Sequence, residues 1–536
     1  MNSQAYQLAQ KGLHNRLGIA LPGSRSVRDA VSTTLKLTVL CAMVGCRPDS
    51  TTNTDVPTGN FGQPGSGYTA QCSGWFPDWI SQVPPGTGDT DFQMSQGYYL
   101  GVPVIQNVNG QPIVTSYNRP ADATVADAPW LAFDFHASGQ QLPYLNALLQ
   151  YVLQGNADAG FIIAPEPFPS WFNVPMMTTS GNRREPFHGL TRERTLFHSD
   201  WSWITGSNSL RSYAVGYYNT LGSYTLAQVF KDKNPALADP SQASFVNGTL
   251  VFKILFSEYA PAKIDAGTYP LTHAPEWVIQ DASNPAAANN IHVRLIQMDI
   301  AVKDPRSVTG WVFATYDYDD SLTDPSPWKR LTAVGMMWGD DPTVTTNGQP
   351  LTETWLNPGL PSALKTHIGV NGRLIGPVDN PASSCISCHS TAQVDQGITQ
   401  ASGKPASAFT GAATIVPAAC NASQRSAWFR DLPTGTAFGT TDGNGAGCNV
   451  VATPGGTNLY ALDNSLQLQV GLISALYYAN PNPCAGVAAA EKLAPQSAPS
   501  ALAQSRRSVR SQRQQVAVDA QLIKALTHAD ESAPRR

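Results

Sequence analysis

Charge is thin along this chain. Only 13% of its 536 residues are Asp, Glu, Lys or Arg, against roughly 25% in ordinary soluble domains. The net charge is -4 and the isoelectric point is near 6.1, which leaves no concentrated basic surface for nucleic acid. No run of 18 apolar residues occurs, so no segment reads as a membrane-spanning helix. The absence of a fixed-period repeat removes solenoids and propellers. G-x-S-x-G, H-E-x-x-H and G-x-x-x-x-G-K-[ST] are all missing, so no standard hydrolase or phosphate-binding motif can be named. The glycine-rich "GNGAG" at 443–447 has neither the lysine nor a preceding strand and reads as a loop. No methionine follows Met337.

What is plentiful is glycine (44) and proline (41), a composition of turns that fits an exported protein. Residues 25–46, "RSVRDAVSTTLKLTVLCAMVGC", place Arg25, Arg28 and Lys36 ahead of an apolar stretch, the layout of a signal peptide. The closing "MVGC" resembles a bacterial lipobox, which would make Cys46 the lipidated residue and the protein a periplasmic or outer-membrane-associated lipoprotein, held at the membrane surface by its anchor. The alternative is a short buried apolar segment. Residues 47–70 have too little apolar content to repay the entropy of folding and read as a flexible tether.

From residue 71 to about 365, short apolar runs rich in β-branched and aromatic residues alternate with turn residues. The runs at 129–135, 249–256, 291–302 and 310–318 predict strands. Helical spacing of Leu142, Leu145, Leu149, Val152 and Leu153 predicts one helix over 140–154. From 366 to 486 loops and short segments dominate, with an amphipathic helix expected over 462–478 from Leu466, Val470, Ile473 and Tyr477. Residues 487–536 read as a mobile low-complexity tail. The expected architecture is a mainly β N-terminal domain, then a smaller, loop-rich, partly helical region, with disordered ends.

The stretch that carries chemistry is "SSCISCHST", 383–391, which sets Cys385, Cys388 and His389 in the pattern C-x-x-C-H. Two thiols at that spacing can meet the two vinyl groups of a haem, while the imidazole ligates its iron from the same side. Asn380 and Pro381 point to a helix start, on which the three residues would share one face. A thioredoxin-like site would follow a βαβ strand, a zinc site would need a fourth ligand that no second C-x-x-C or H-x-x-x-H supplies, and a small disulfide remains as the haem-free alternative.

The three residues resemble the attachment site of c-type cytochromes. "EPFHGLTRER" (185–194), "AVGMMWGDDP" (333–342) and "IGPVDNPASSCISCH" (375–389) are similar to stretches of uncharacterised exported proteobacterial cytochrome-like proteins. The resemblance implies haem c as cofactor, Cys385 and Cys388 as its covalent sites, His389 as axial ligand, and a cytochrome c-like region over 366–486. Small cytochromes c take a downstream methionine as sixth ligand, which this chain lacks. His367 or Met336 is expected there instead, with Met337, His188, His198 or an open position as the other choices. If Cys385 and Cys388 carry haem and Cys46 carries lipid, then Cys72, Cys420, Cys448 and Cys484 remain for two disulfides of unassigned pairing.

Two other clusters stand out. Arg183, Arg184, Arg192 and Arg194 surround His188, either as an ion-paired surface loop or as partners for carboxylates. Asp317, Asp319, Asp320 and Asp324 hold enough oxygens for Ca2+ but not the EF-hand spacing, so a strand-ending turn is expected. The leading expectation is a monohaem c-type protein passing electrons to a redox partner protein. The alternatives are a haem-dependent periplasmic oxidoreductase with a catalytic β-rich domain, and a haem-free, disulfide-bonded exported binding protein.

Overall fold

The structure is a computed structural model that describes residues 98–109, 111–156, 171–175, 189–231, 238–280, 290–365, 368–395, 428–438 and 459–478, with short pieces at 92, 177, 440–441 and 450–451. Several expectations fall outside these residues: the signal and Cys46, the tether, the tail, His367, His188, Arg183, Arg184, the 443–447 loop, and Cys72, Cys420, Cys448 and Cys484. All described residues belong to one compact unit.

In chain order the strands are β1 (Val102–Val108), β2 (Gln111–Asn118), β3 (Thr191–Arg192), β4 (Leu196–Phe197), β5 (Ser209–Leu210), β6 (Ser212–Tyr218), β7 (Leu250–Glu258), β8 (Glu276–Gln280), β9 (Asn290–Lys303), β10 (Trp311–Tyr318), β11 (Leu331–Met337), β12 (Thr354–Leu356), β13 (Gln393–Asp395), β14 (Thr440–Thr441), β15 (Val450–Val451) and β16 (Leu459–Ala461). The helices are α1 (Gln141–Leu153), α2 (Thr220–Phe230), α3 (Cys385–His389) and α4 (Leu466–Tyr478). The mainly β expectation holds.

An eight-stranded sheet in the order β12-β11-β10-β9-β7-β6-β3 is the frame, with β8 as an extra partner of β9, and its pairings are antiparallel. β9 is long enough, at 14 residues, to pair β8 through Asn290–Arg294 and β10 through Gln297–Lys303.

Successive side chains of a strand point to opposite faces, and the two faces differ here. Met298, Ile300 and Val302 of β9, with Phe252 and Ile254 of β7 and Val312, Ala314 and Tyr316 of β10, enter a first core with Trp130, Phe135 and Trp171. The helix α1 closes this face through Tyr144, Leu145, Leu148 and Val152, and it is tied down where Tyr316 Oη donates to Leu145 O (2.7 Å) and Tyr144 Oη to Asp304 Oδ2 (3.0 Å). Val251, Ala301, Trp311, Phe313 and Met337 face a second core, shared with α2, with Leu374 and Ile386, and with Leu468 and Leu472 of α4.

The described part of 366–486 packs onto the sheet through Leu374, Ile386, Val394, Leu462, Leu468 and Leu472. Trp428, Phe429, Leu432 and Phe438 add a small satellite cluster. The strands expected at 249–256, 291–302 and 310–318 and the helix at 140–154 are present. The run at 129–135 is instead a short 3-10 turn over Pro129–Ala132, because Pro129 opens a turn while Trp130 and Phe135 reach the core from either end of it. Among the described side chains of α4, Leu468 and Leu472 are fully buried, while Leu466 packs half-buried against the same core and Val470 is half-buried. Gly471 allows this seating: a Cβ there would lie 2.6 Å from Pro175 O.

Candidate haem-attachment site

The motif helix α3 starts at Cys385, four residues later than Pro381. Asn380 makes a turn instead, its Oδ1 accepting from Ala382 N (2.9 Å) and its carbonyl from Ser383 N (3.0 Å). Ser384 is the N-cap: its Oγ accepts from Ser387 N (2.9 Å), and its own amide donates to Ser387 Oγ (2.8 Å). This reciprocal capping satisfies amides that a short helix leaves without partners.

Ser384 Oγ also donates to Asp340 Oδ1 (2.5 Å), in the turn after β11. Asp340 is fully buried beside Arg373, whose guanidinium donates to the carbonyls of Asp340 (2.7 Å), Asp341 (2.6 Å), Val344 (2.9 Å) and Val370 (3.0 Å). The N-terminus of α3 is thus bolted to the β11–β12 connection. Its first amide, Cys385 N, donates to Leu374 O (3.0 Å).

Cys388 and His389 lie one turn beyond Cys385 on α3, so the three share one side of the helix, and neither cysteine is in a disulfide. Burial pushes the Cys385 thiol well above its ordinary range, helped by the carboxyls of Asp379 and Asp299. Burial also carries Cys388 up to about 12. The His389 ring packs on Phe313 of β10, with centroids 4.6 Å apart, and burial lowers its pKa to about 4 against the pull of the Asn464 carbonyl. Its Nδ1 lies 2.9 Å from Asn464 O. A carbonyl only accepts, so Nδ1 carries the proton and Nε2 keeps its lone pair.

Those features fit the donor set of a covalent haem: two protonated thiols outside any disulfide, and one neutral imidazole whose distal nitrogen keeps its lone pair. An iron-ligating histidine usually donates its other N–H to a carbonyl or carboxylate in this way. Among the described residues no group of three or more His, Cys, Asp and Glu is arranged to hold a bare metal ion.

Of the residues expected at a sixth position, Met336 is corrected. Its side chain is fully buried in the first core, on the opposite face of the sheet from His389. The register that pairs Met336 with Ala314 sets Met337 against Phe313, on the His389 face. His198 is committed to a local turn through Nδ1 and Ile204 O.

Sequence reasoning missed a polar row on the same face as α3. Thr315, Asp299, Lys253 and Gly216 are successive cross-strand partners on β10, β9, β7 and β6. Asp299 accepts from Gln297 Nε2 (2.7 Å) and from Thr315 Oγ1 (2.9 Å), while Asp379 Oδ2 accepts from Gly376 N (2.7 Å). Burial raises the pKa of both carboxyls. Lys253 pairs with Glu193 (2.9 Å), and its pKa is raised because Glu193 and the two aspartates outweigh the burial that opposes them. A narrow, open recess with room for little more than a water reaches Lys253 past Val174, Met177, Thr191, Gly216 and Gln467.

The other clusters resolve into separate contacts, among them Arg194 with the Asp379 carbonyl (3.3 Å). Arg194 pairs with Asp200 (2.8 Å) and Arg192 donates to Thr195 Oγ1 (3.0 Å). Asp319, Asp320 and Asp324 serve Ser321, His273 and Ser326 separately, as expected of strand-ending turns and not of one cation site.

No protein family, curated protein or solved structure matches the chain. Among the described residues no helix is long and apolar enough to cross a membrane.

Proposed function

We propose that this is an exported monohaem c-type protein that transfers electrons, with haem c joined to Cys385 and Cys388 and its iron ligated by His389. The observation that carries the reading is the His389 geometry: Nδ1 is spent on the Asn464 carbonyl at 2.9 Å, and the ring stays neutral across the physiological range, so Nε2 keeps its lone pair on the helix side that bears both cysteines. The bound group would supply one-electron chemistry at a potential set by its axial ligands and surroundings. The chain's own part is to orient the imidazole, to hold the thiols at fixed spacing on a capped helix, and to shield one side with Phe313 and the second core. His367 and Met337 are the residues to test at the sixth position, and Met336 is not. Export with lipidation at Cys46, a periplasmic or outer-membrane location, and a redox partner protein belong to the same proposal.

The test is expression of the full chain with cytochrome c maturation machinery, followed by a pyridine haemochrome spectrum and intact mass. Attached haem that survives denaturation is the expected result, lost in Cys385→Ala/Cys388→Ala. A wild-type chain of unmodified mass would return the site to a pair of thiols without haem.

A second reading, a haem-dependent oxidoreductase, draws on the polar row of Lys253, Asp299 and Asp379, whose carboxyls act on Cys385. Carbon monoxide binding to the reduced protein separates the two: an open iron favours catalysis, a closed one electron transfer.

A further inference from the structure

The carbonyl that engages His389 belongs to a residue in an unusual place. Asp463 and Asn464, just ahead of α4, both have left-handed backbone, with φ of 48° and 60°. Non-glycine residues hold that conformation when their surroundings over-determine it. Here the surroundings are three donors that converge on the Asp463 carboxylate, itself 2% exposed. Trp311 Nε1 of β10 donates to Oδ1 (2.8 Å), Phe245 N donates to Oδ2 (2.8 Å), and Lys303 Nζ of β9 pairs with Oδ1. Lys303 is held in turn by Thr434 Oγ1 (2.9 Å). One residue beyond Asn464, Ser465 Oγ bonds Tyr218 Oη (2.7 Å) and accepts from Leu468 N (3.0 Å), capping α4.

Asn464 is therefore pinned on both sides by groups rooted in the sheet, and its free carbonyl faces the imidazole. We infer that Asp463, anchored by Lys303, Trp311 and the Phe245 amide, is a positioning residue for His389: it places the Asn464 carbonyl at Nδ1 and so decides which ring nitrogen stays open to a ligand. Asp463 touches no reacting atom. Its relevance to haem rests on the function proposed above, but the locking of the ring does not.

The test reads the ring directly. In the full chain made without the maturation machinery and labelled with 15N-histidine, the imidazole nitrogens of His389 are expected to report one tautomer, protonated at Nδ1. Asp463→Asn removes the charge that holds Lys303, and loss of the single-tautomer signature is expected in a protein whose near-ultraviolet circular dichroism is that of wild type. Lys303→Met should act in the same direction. Asn464→Gly keeps the carbonyl and suits the left-handed backbone, so it should keep the lock. A folded Asp463→Asn that retains the single tautomer overturns the inference. Where either charge variant fails to fold, Trp311→Phe, which deletes only the indole donor, is judged by the same criterion.

Intact mass of the chain made with the maturation machinery separates this inference from the haem reading. A locked ring without added mass removes the haem and leaves Asp463 as the positioning residue. Added mass with a wild-type ring that samples both tautomers does the reverse.

Discussion

The two faces of the central sheet use the same strands for opposite ends. On the α1 face, Phe252, Ile254, Met298, Ile300 and Tyr316 present an unbroken apolar and aromatic surface, whose burial contributes on the order of 1.5–3 kcal/mol for each large side chain. On the α3 face, the neighbouring positions of those strands are Lys253, Asp299 and Thr315. A buried carboxylate or ammonium costs several kcal/mol unless it is paired, and on this face Glu193 answers Lys253 while Gln297 and Thr315 answer Asp299, beside the second core. Charge is scarce in the chain as a whole, and its placement under the C-x-x-C-H helix marks where the fold does something other than hold itself together.

The largest effect that would break this contrast is Phe252→Ala. Its ring packs edge-on against Trp171 (4.7 Å) and stacks on Tyr217 (5.3 Å), and a loss of about 4 kcal/mol in urea unfolding is expected. A loss under about 1 kcal/mol would mean that the α1 face is not the stabilising one. Ser384→Ala, on the other face, should cost about 1–2 kcal/mol, because it deletes the α3 cap and leaves Asp340 Oδ1 short of a donor. An unchanged melting temperature would show that α3 is held by its packing alone.

Next comes a pH effect. Burial, followed by the nearby Asp431, raises Glu353 to about 7. A carboxyl raised on folding makes the folded state the stronger proton binder, so its contribution to stability is complete below the ordinary carboxylate range and is lost as pH rises through about 7. Glu353→Gln should flatten the fall in stability between about pH 4.5 and pH 7, and a series of urea titrations across that range checks it. Smallest of all is Ile105→Thr on the β1–β2 hairpin. Ile105 is 57% exposed, and a change within about 0.5 kcal/mol is expected. A larger loss would show that the hairpin is packed against something.

How far the sequence could be read depends on the range of the determining interaction. β7, β9 and β10 are legible because their own residues alternate or run apolar between turn signals, and α1 because its leucines keep helical spacing. The 129–135 segment misleads because Leu131, Phe133 and Phe135 imitate strand alternation, although Pro129 and tertiary packing of Trp130 make a turn. Likewise, the stripe chosen for α4 is a sound helical face, but Gly471 and Val174 decide which face is buried. At the site, the C-x-x-C-H triplet is local and stands out. Its partners do not: Asn464 is 75 residues from His389, and Asp340 is 44 from Ser384. Met336 and Met337 could be told apart only from strand register.

The separation between His389 and Asn464 has a consequence in time. A chain emerging N-terminus first can zip β6 through β12 largely as neighbouring antiparallel strands, and domains begin to fold as they emerge. α3 then follows with its imidazole unclaimed, since the carbonyl that fixes the ring is still to come. The imidazole is free to turn throughout that interval, and the arrival of Asp463, drawn in by Lys303 and Trp311, fixes it. Assembly order alone thus gives α3 a mobile stage and a locked stage.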